Sequence, residues 1–454
     1  MPTAKGFGFI FSGLALLTCS ATGAEEEPGW SSAAVTCDNR DSIIRALEKK
    51  ADRPGVRRPR GRRMPGPVTN LIAFIPDPDA EPESWFGQPK ASGSTLVAGA
   101  HGDDHSGLTD AGTAYVFVRS GNSWILQQEL TAFDAASGDG FGYQVEIFGD
   151  TIAVGAPGVD HSGIQNAGAV YVYTRSGNTW TLQQKLTASS PFRSDFGRTI
   201  GLERDTLVVG TWATRAYVFT REGDTWSERH DFSTPDPDSG GIFGGSVAIN
   251  GDTILVGDGF AYDTGSVYVY GFDGTSWVYE QELTASDAGV GDHFGDLQEC
   301  LSVSGNSILI GSPMNDHSGY TNPGAAYLFT RVGETWVEQE KIISAAPADY
   351  DAFGNCTAIS REGAVIGAWG PFHYRDPGLS SVSFFTVSED ACTLKQRTEA
   401  QELGLGGIGW HVALWGNTGY ADGGPSPTNP DIGAIFVFEL PFFSDEVNQG
   451  LLAH

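Results

Sequence analysis

From residue 68 onward, short apolar bursts alternate with glycine-rich polar turns, and helical spacing is scarce. A Phe-Gly pair recurs at Phe86, Phe141, Phe196, Phe243, Phe294 and Phe353, and a Gly-Trp variant at Trp410 makes a seventh mark; the intervals run from 47 to 59 residues. Each mark is followed by an alternating segment, a tight polar hairpin such as Gly149-Asp150 or Gly251-Asp252, and an apolar run ending in glycine, such as Ile152 to Gly155. Alternation broken by Gly-Asp turns predicts paired antiparallel strands. A third strand, rich in β-branched and aromatic residues, follows a variable loop: Ala114 to Val118 in the first unit, Ile435 to Phe438 in the last. A second glycine turn then leads to Trp124, Trp180, Trp226, Trp277 or Trp336, each opening a fourth strand.

Four-stranded sheets repeated about every 50 residues cannot each bury both faces alone, whereas sheets stacked radially in a closed ring can. The predicted fold is all-β, a seven-bladed β-propeller of four-stranded antiparallel blades. The seventh unit stops after its third strand, at Phe438-Glu439-Leu440, while a spare strand-like segment, Val68 to Ile75, precedes the first Phe-Gly pair. That N-terminal segment is predicted to supply the outermost strand of blade seven and so close the ring.

Four segments result: a signal peptide over 1–24, a disordered basic linker over 25–67, the propeller over 68–440 and a tail over 441–454. The first has Lys5, an apolar run from Gly6 to Leu17 and small residues up to Ala24, which predicts secretion; the run is too short to span a bilayer. The second carries Arg53, Arg57, Arg58, Arg60, Arg62 and Arg63 among prolines and glycines. Charge sharpens the division. The whole chain carries −29, but the first 67 residues hold 11 Lys/Arg against 7 Asp/Glu, leaving −33 on the rest. A body so acidic repels phosphate backbones, which argues against nucleic acid as its partner and favours cations or basic partners. Past the signal, Cys37, Cys300, Cys356 and Cys392 remain, and Cys300 with Cys356 is the pair placed for a cross-blade disulfide, the alternative being two buried thiols.

The units resemble FG-GAP repeats, the family found in the N-terminal propeller of integrin α subunits. The fullest instance is Phe141-Gly142, then Thr151-Ile152-Ala153-Val154-Gly155-Ala156-Pro157, then Gly168-Ala169-Val170-Tyr171-Val172-Tyr173. The resemblance implies an extracellular binding or adhesion module for a glycan or protein ligand. It does not bring a cofactor: the calcium cage of such repeats, DxDxDGxxD in a blade's first hairpin, is replaced here by short turns such as Asn250-Gly251-Asp252 and Gly416-Asn417.

In such a ring the loops between strands two and three share a face with the inter-blade loops. Three of the former carry Asp-His-Ser-Gly, which makes Asp104, His105, Asp160, His161, Asp316 and His317 the candidate ligand-binding residues. The alternative is that aspartate followed by serine and glycine simply builds a repeated turn. Asp236-Pro237-Asp238-Ser239-Gly240 is a weak calcium-loop candidate, the sequon Asn355-Cys356-Thr357 falls in an inner strand, and the recurrent tryptophans suit packing between sheets better than sugar stacking. No metal site, P-loop, GxSxG or HExxH motif is present, so no catalytic residues are assigned; the alternative function is a polysaccharide hydrolase or lyase with carboxylates from different blades.

Overall fold

The computed structural model describes residues 70–440, apart from 80–82, 191–193, 213, 237–239, 297–298, 362, 370–379, 389, 404–406 and 424–432. Seven four-stranded antiparallel sheets stand in a ring. Blade one holds Gly87–Ser92, Thr95–Ala100, Thr113–Ser120 and Ser123–Leu130, counted outward from the channel. Blades two to six follow over 145–186, 199–233, 243–283, 301–343 and 353–399. Blade seven combines Val412–Trp415, Thr418–Gly423 and Ala434–Glu439 with Leu71–Pro76, which pairs antiparallel to its third strand from Leu71↔Phe438 to Pro76↔Ala434. The closing strand is therefore where the alternation places it, with Leu71, Ala73 and Ile75 turned into the core. The predicted signal peptide, the basic linker, the tail and Cys37 lie outside the described residues.

Apolar cores occupy the seven joints. Val116, Phe141, Ile152 and Tyr171 fill the joint between blades one and two, and Ala73, Ile75, Phe86, Tyr115 and Val437 that between blades seven and one. The Phe-Gly phenylalanines sit buried in these joints, and Phe86, Phe141, Phe196 and Phe294 stand edge-on to a third-strand tyrosine, as Phe141 does to Tyr171 at 5.3 Å. Its glycine is required at this spot: Gly142 has φ +90°, and a Cβ there would lie 2.2 Å from the Thr113 carbonyl oxygen.

The outer edge is fastened by a device that repeats. A β-bulge interrupts the pairing of strands three and four, as between Val116 and Phe117 in blade one, where Gln127 is the extra residue. Gln128 then receives the Trp180 backbone N–H at 2.8 Å and donates to the Trp180 carbonyl at 2.8 Å, completing a backbone ladder with an amide side chain, while the Trp180 indole N–H donates to Gln127 Oε1 at 3.1 Å. Gln184 treats Trp226 the same way, and Gln281 treats Trp336. Gln396 of blade six accepts from Asn70, at the start of the closing strand. Blade three breaks the series, because His230 stands at the glutamine position and packs on Phe232 at 4.7 Å; its neighbour Trp277 is only half-buried, whereas Trp124, Trp180, Trp226 and Trp336 are buried.

Candidate functional site

The three Asp-His-Ser-Gly loops have one conformation. Asp104 Oδ1 accepts the Asp110 N–H at 2.8 Å, Asp160 Oδ1 the Asn166 N–H at 3.0 Å, and Asp316 Oδ1 the Asn322 N–H at 2.7 Å. His105, His161 and His317 each form a two-residue bridge to Leu108, Ile164 and Tyr320. Ser106, Ser162 and Ser318 take left-handed φ between 53° and 56°. Each aspartate thus ties its own loop together, the turn-building role, and each Asp-His pair stays in its own blade. The inter-blade aspartates are similarly occupied: Asp134 accepts from Tyr171 at 2.8 Å and Lys185 at 2.7 Å, and Asp287 from Tyr327 and Lys341 at 2.7 and 2.6 Å. Among the described residues no group of three or more His, Cys, Asp or Glu could hold a metal ion.

What gathers at one place on this face is a set of residues that do not repeat. The ring offers three equivalent positions at the channel mouth. One precedes the phenylalanine of each Phe-Gly pair and is left-handed in blades one, two, three, five and six: Trp85, Gly140, Asp195, His293 and Ala352. The next follows the glycine and holds Tyr143 and Arg198; the last follows strand two and holds His101, Pro157, Trp212 and Trp369. In blade seven the backbone equivalent of Phe-Gly is Ile408-Gly409: Gly409 has φ +85° and donates to the Asp422 carbonyl at 2.9 Å, as Gly142 does to Gly155 at 3.0 Å. This corrects the Gly-Trp assignment. Buried Ile408 takes the phenylalanine's place in the core, and Trp410 occupies the Tyr143 position, over a third exposed at 38%.

These side chains make a continuous arc across five blades. Trp369 lies 5.5 Å from Trp410, Trp410 6.1 Å from Trp85 at 74°, Trp85 6.1 Å from His101, and His101 4.9 Å from Tyr143. Arg198 continues it, 5.0 Å over the Tyr143 ring and 4.2 Å over Trp212. Trp85 is 46% exposed, in a backbone conformation (φ +55°) that costs a bulky residue energy. Asn355 fixes the two outer tryptophans, donating to the Trp410 carbonyl at 3.0 Å and accepting the Trp369 N–H at 3.0 Å. Against the stretch of the arc from Trp85 to Arg198 lies a cleft of about 390 Å³, lined by Trp85, His101, Tyr143, Arg198, Asp110, Asp139 and Asp195 among others. Burial lifts Asp139 above the usual carboxylate range, and burial, reinforced by His411 and Arg198, lowers His101 to about 4.

Below the arc the channel is crossed by charges. Lys90 Nζ of blade one lies 3.0 Å from Glu146 of blade two and 3.1 Å from Glu299 of blade five, and Gln144 Nε2 donates to the same Glu299 oxygen at 2.9 Å. His411 Nδ1 is 2.6 Å from Asp422 Oδ2. Burial opposes charge on all of these groups. Its effect prevails for Glu146, which is raised, while Lys90 and His411 outweigh it for Glu299, which is lowered. For His411, Asp422 and Glu299 outweigh burial and raise its pKa. Sequence reasoning missed this centre because its members come from blades one, two, five and seven, with no shared motif.

A family model described as FG-GAP repeat matches residues 124–173, 226–270, 277–329 and 336–381, each match running from a strand-four tryptophan into the third strand of the next blade. With seven blades on the same frame, the assignment is made. The chain is an FG-GAP repeat β-propeller. No curated protein matches it. The FG-GAP propeller is similar to a chain of a crystal structure of a mitotic checkpoint complex, with a TM-score of 0.52 and 11% identity over 85% of this chain and 99% of that one. The Neurospora crassa Pan2 WD40 domain aligns with a TM-score of 0.47 and 11% identity over 80% of this chain and 90% of that domain. At such identity the first likeness speaks to fold alone.

Two further expectations for the FG-GAP propeller are settled by packing. Cys300 and Cys356 are separate buried thiols, not a disulfide, because Cys300 faces the core between blades four and five and Cys356 that between six and seven, where its Sγ donates to the Gly409 carbonyl at 3.3 Å. The sequon's Asn355 is already committed to the two tryptophans. The Asp236–Gly240 segment has its central residues outside those described. No helix among the described residues is long and apolar enough to cross a membrane.

Proposed function

We propose that this FG-GAP propeller is a secreted recognition module that binds a glycan at the mouth of its channel, with sugar rings laid on Trp85 and Trp410. The supporting observation is the arc itself: two exposed tryptophans at 74° to one another, Trp85 standing where blades two, three, five and six carry Gly140, Asp195, His293 and Ala352. Large exposed rings at a mouth, Trp410 tied by Asn355 and Trp85 on a strained backbone, are costly unless something covers them. The acidic body argues for a neutral or amino sugar over a polyanion.

A glycan array followed by titration calorimetry tests this. Trp85→Ala and Trp410→Ala should each weaken the best-bound sugar about tenfold or more, while Asp160→Ala, in a repeated loop, should leave affinity unchanged. Absence of any glycan binding, or equal binding by the tryptophan variants, would sink it. One observation favours a second reading, polysaccharide cleavage: Glu146 and Glu299 converge on Lys90 with pKa values displaced in opposite directions, the pattern of an acid and a base. New reducing or unsaturated ends on a bound polysaccharide would select it.

A further inference from the structure

The cleft beside Trp85 exists because blade two is trimmed there. Gly140 and Gly158 line it, whereas blade five carries His293 and Met314 at the corresponding places. A Cβ on Gly140 would meet nothing within 4 Å, so the space above it is open. At about 390 Å³ the cleft falls within the range of small-ligand sites, about 300–1,000 Å³.

The same comparison isolates one carboxylate. Asp139 and Asp292 each stand two residues before the phenylalanine of a Phe-Gly pair, at 6% and 5% exposure, and each accepts a backbone N–H at 2.8 Å, from Ala136 and Gly289. Asp292 also accepts from Asn315 Nδ2 at 2.7 Å. At the Asn315 position blade two has Val159, and among the described residues no side chain donates to Asp139, which instead lines the cleft. Burial raises its pKa, because the carboxylate has lost water without gaining a side-chain donor. Lys185, whose charge is felt there, is bonded to Asp134 at 2.7 Å. The remaining lining keeps positive charge short. Asp110, Asp139 and Asp195 are set against Arg198 alone, which lies 3.6 Å from Asp195 and stacks on Tyr143 and Trp212. His101, lowered to about 4, is uncharged at neutral pH. Three carboxylates against one guanidinium leave the lining two charges negative, beside the aromatic faces of Trp85 and Tyr143. Carboxylates and ring faces together hold an organic cation.

From an open aromatic cleft whose buried carboxylate lacks a side-chain donor, we infer that the glycan bound at the mouth is built of amino sugars. A glucosamine-type residue sits in the cleft against Trp85 with its ammonium group at Asp139, and the chain continues over the rim. This rests on the glycan reading above and adds to it the chemistry of the sugar: a free, protonated amine where other glycans carry a hydroxyl or an acetamide.

The test uses the full chain and β-1,4-linked oligomers of glucose, N-acetylglucosamine and glucosamine of equal length, which differ only at C2, titrated in mildly acidic buffer. The glucosamine oligomer should bind about tenfold or more tighter than the other two, the scale of one hydrogen bond to a charged group. Asp139→Asn, its fold checked by melting, should remove that advantage and leave the glucose oligomer unaffected. Asp224→Asn, in a hairpin on the opposite face, should leave the advantage intact. Tetralysine measures diffuse attraction to the acidic body and should bind about tenfold or more weaker than the glucosamine oligomer. If the three oligomers bind alike and Trp85→Ala weakens them all, the mouth binds glycans and the amine inference is overturned. It is overturned equally if tetralysine matches the glucosamine oligomer, or if Asp224→Asn erodes the advantage as much as Asp139→Asn. Failure of every oligomer to bind overturns the glycan reading, and the inference falls with it. The comparison of oligomers with tetralysine needs no variant, so a misfolded Asp139→Asn leaves the outcome decidable.

Discussion

The periphery and the centre of the ring are built on opposite rules. At the outer edge one blade grips the next through the same residues, Gln128 to Trp180, Gln184 to Trp226 and Gln281 to Trp336, and the Asp-His-Ser-Gly loops repeat one aspartate-to-backbone bond. At the centre no such pattern is repeated from blade to blade: blade one supplies Trp85, Lys90 and His101, blade two Tyr143, Gln144 and Glu146, blade five Glu299 and blade seven Trp410 and His411. What recurs in a repeat protein is what every joint needs, and recognition has to be sought where one copy departs from the rest.

The contrast can be tested first at its most exposed point. Lys90→Met removes the cation shared by Glu146 and Glu299 and should cost about 3–5 kcal/mol in urea unfolding, the range for breaking a buried ion pair from one side. A loss below about 1 kcal/mol would show that the centre, for all its charges, contributes no more than a surface contact. A smaller effect follows from His101. Its pKa in the folded chain is lowered to about 4, against about 6.5 unfolded, so on acidification the unfolded chain takes up a proton that the folded chain refuses. Stability should fall by about 2–3 kcal/mol as pH drops from about 6.5 to about 4, and His101→Phe should remove that part of the slope. His411, with a raised pKa, works the other way, its contribution full below about 6.5 and lost as pH climbs through its folded value. The smallest effect belongs to the edge. Gln184→Ala should cost about 1–2 kcal/mol, two hydrogen bonds to the Trp226 backbone, while His230→Ala, at the joint without a clamp, should cost under about 0.5 kcal/mol. Equal losses at both joints would erase the difference between them, and a change in glycan affinity from Gln184→Ala would break the division of labour.

The same division explains what the sequence made legible. Seven units, their strand order, the closing role of the N-terminal segment and the packing of the strand-four tryptophans all follow from recurrence, and recurrence is visible in one dimension. The Asp-His-Ser-Gly loops drew attention for the same reason, although their carboxylates turn inward to backbone N–H groups. The mouth was hidden because its members sit at frame positions without a common identity. Trp410 was masked further by its neighbour: Gly409-Trp410 imitates the repeat mark, and only the left-handed Gly409 and buried Ile408 show that the frame is shifted by one residue. Lys90 and Glu299 are brought together solely by the curvature of the ring.

The pairing of Leu71 with Phe438 has a consequence for biosynthesis. The strand that leaves the ribosome first is the last to find its neighbour, since more than 360 residues must be polymerised in between. At about 5–20 residues per second that is a wait of roughly 20–70 s, during which the six intervening sheets can assemble while both flanks of the nascent stack stay uncovered. Contacts of such long sequence separation make the final docking slow, and it is at that moment that a second chain could insert its own first strand in place of the resident one.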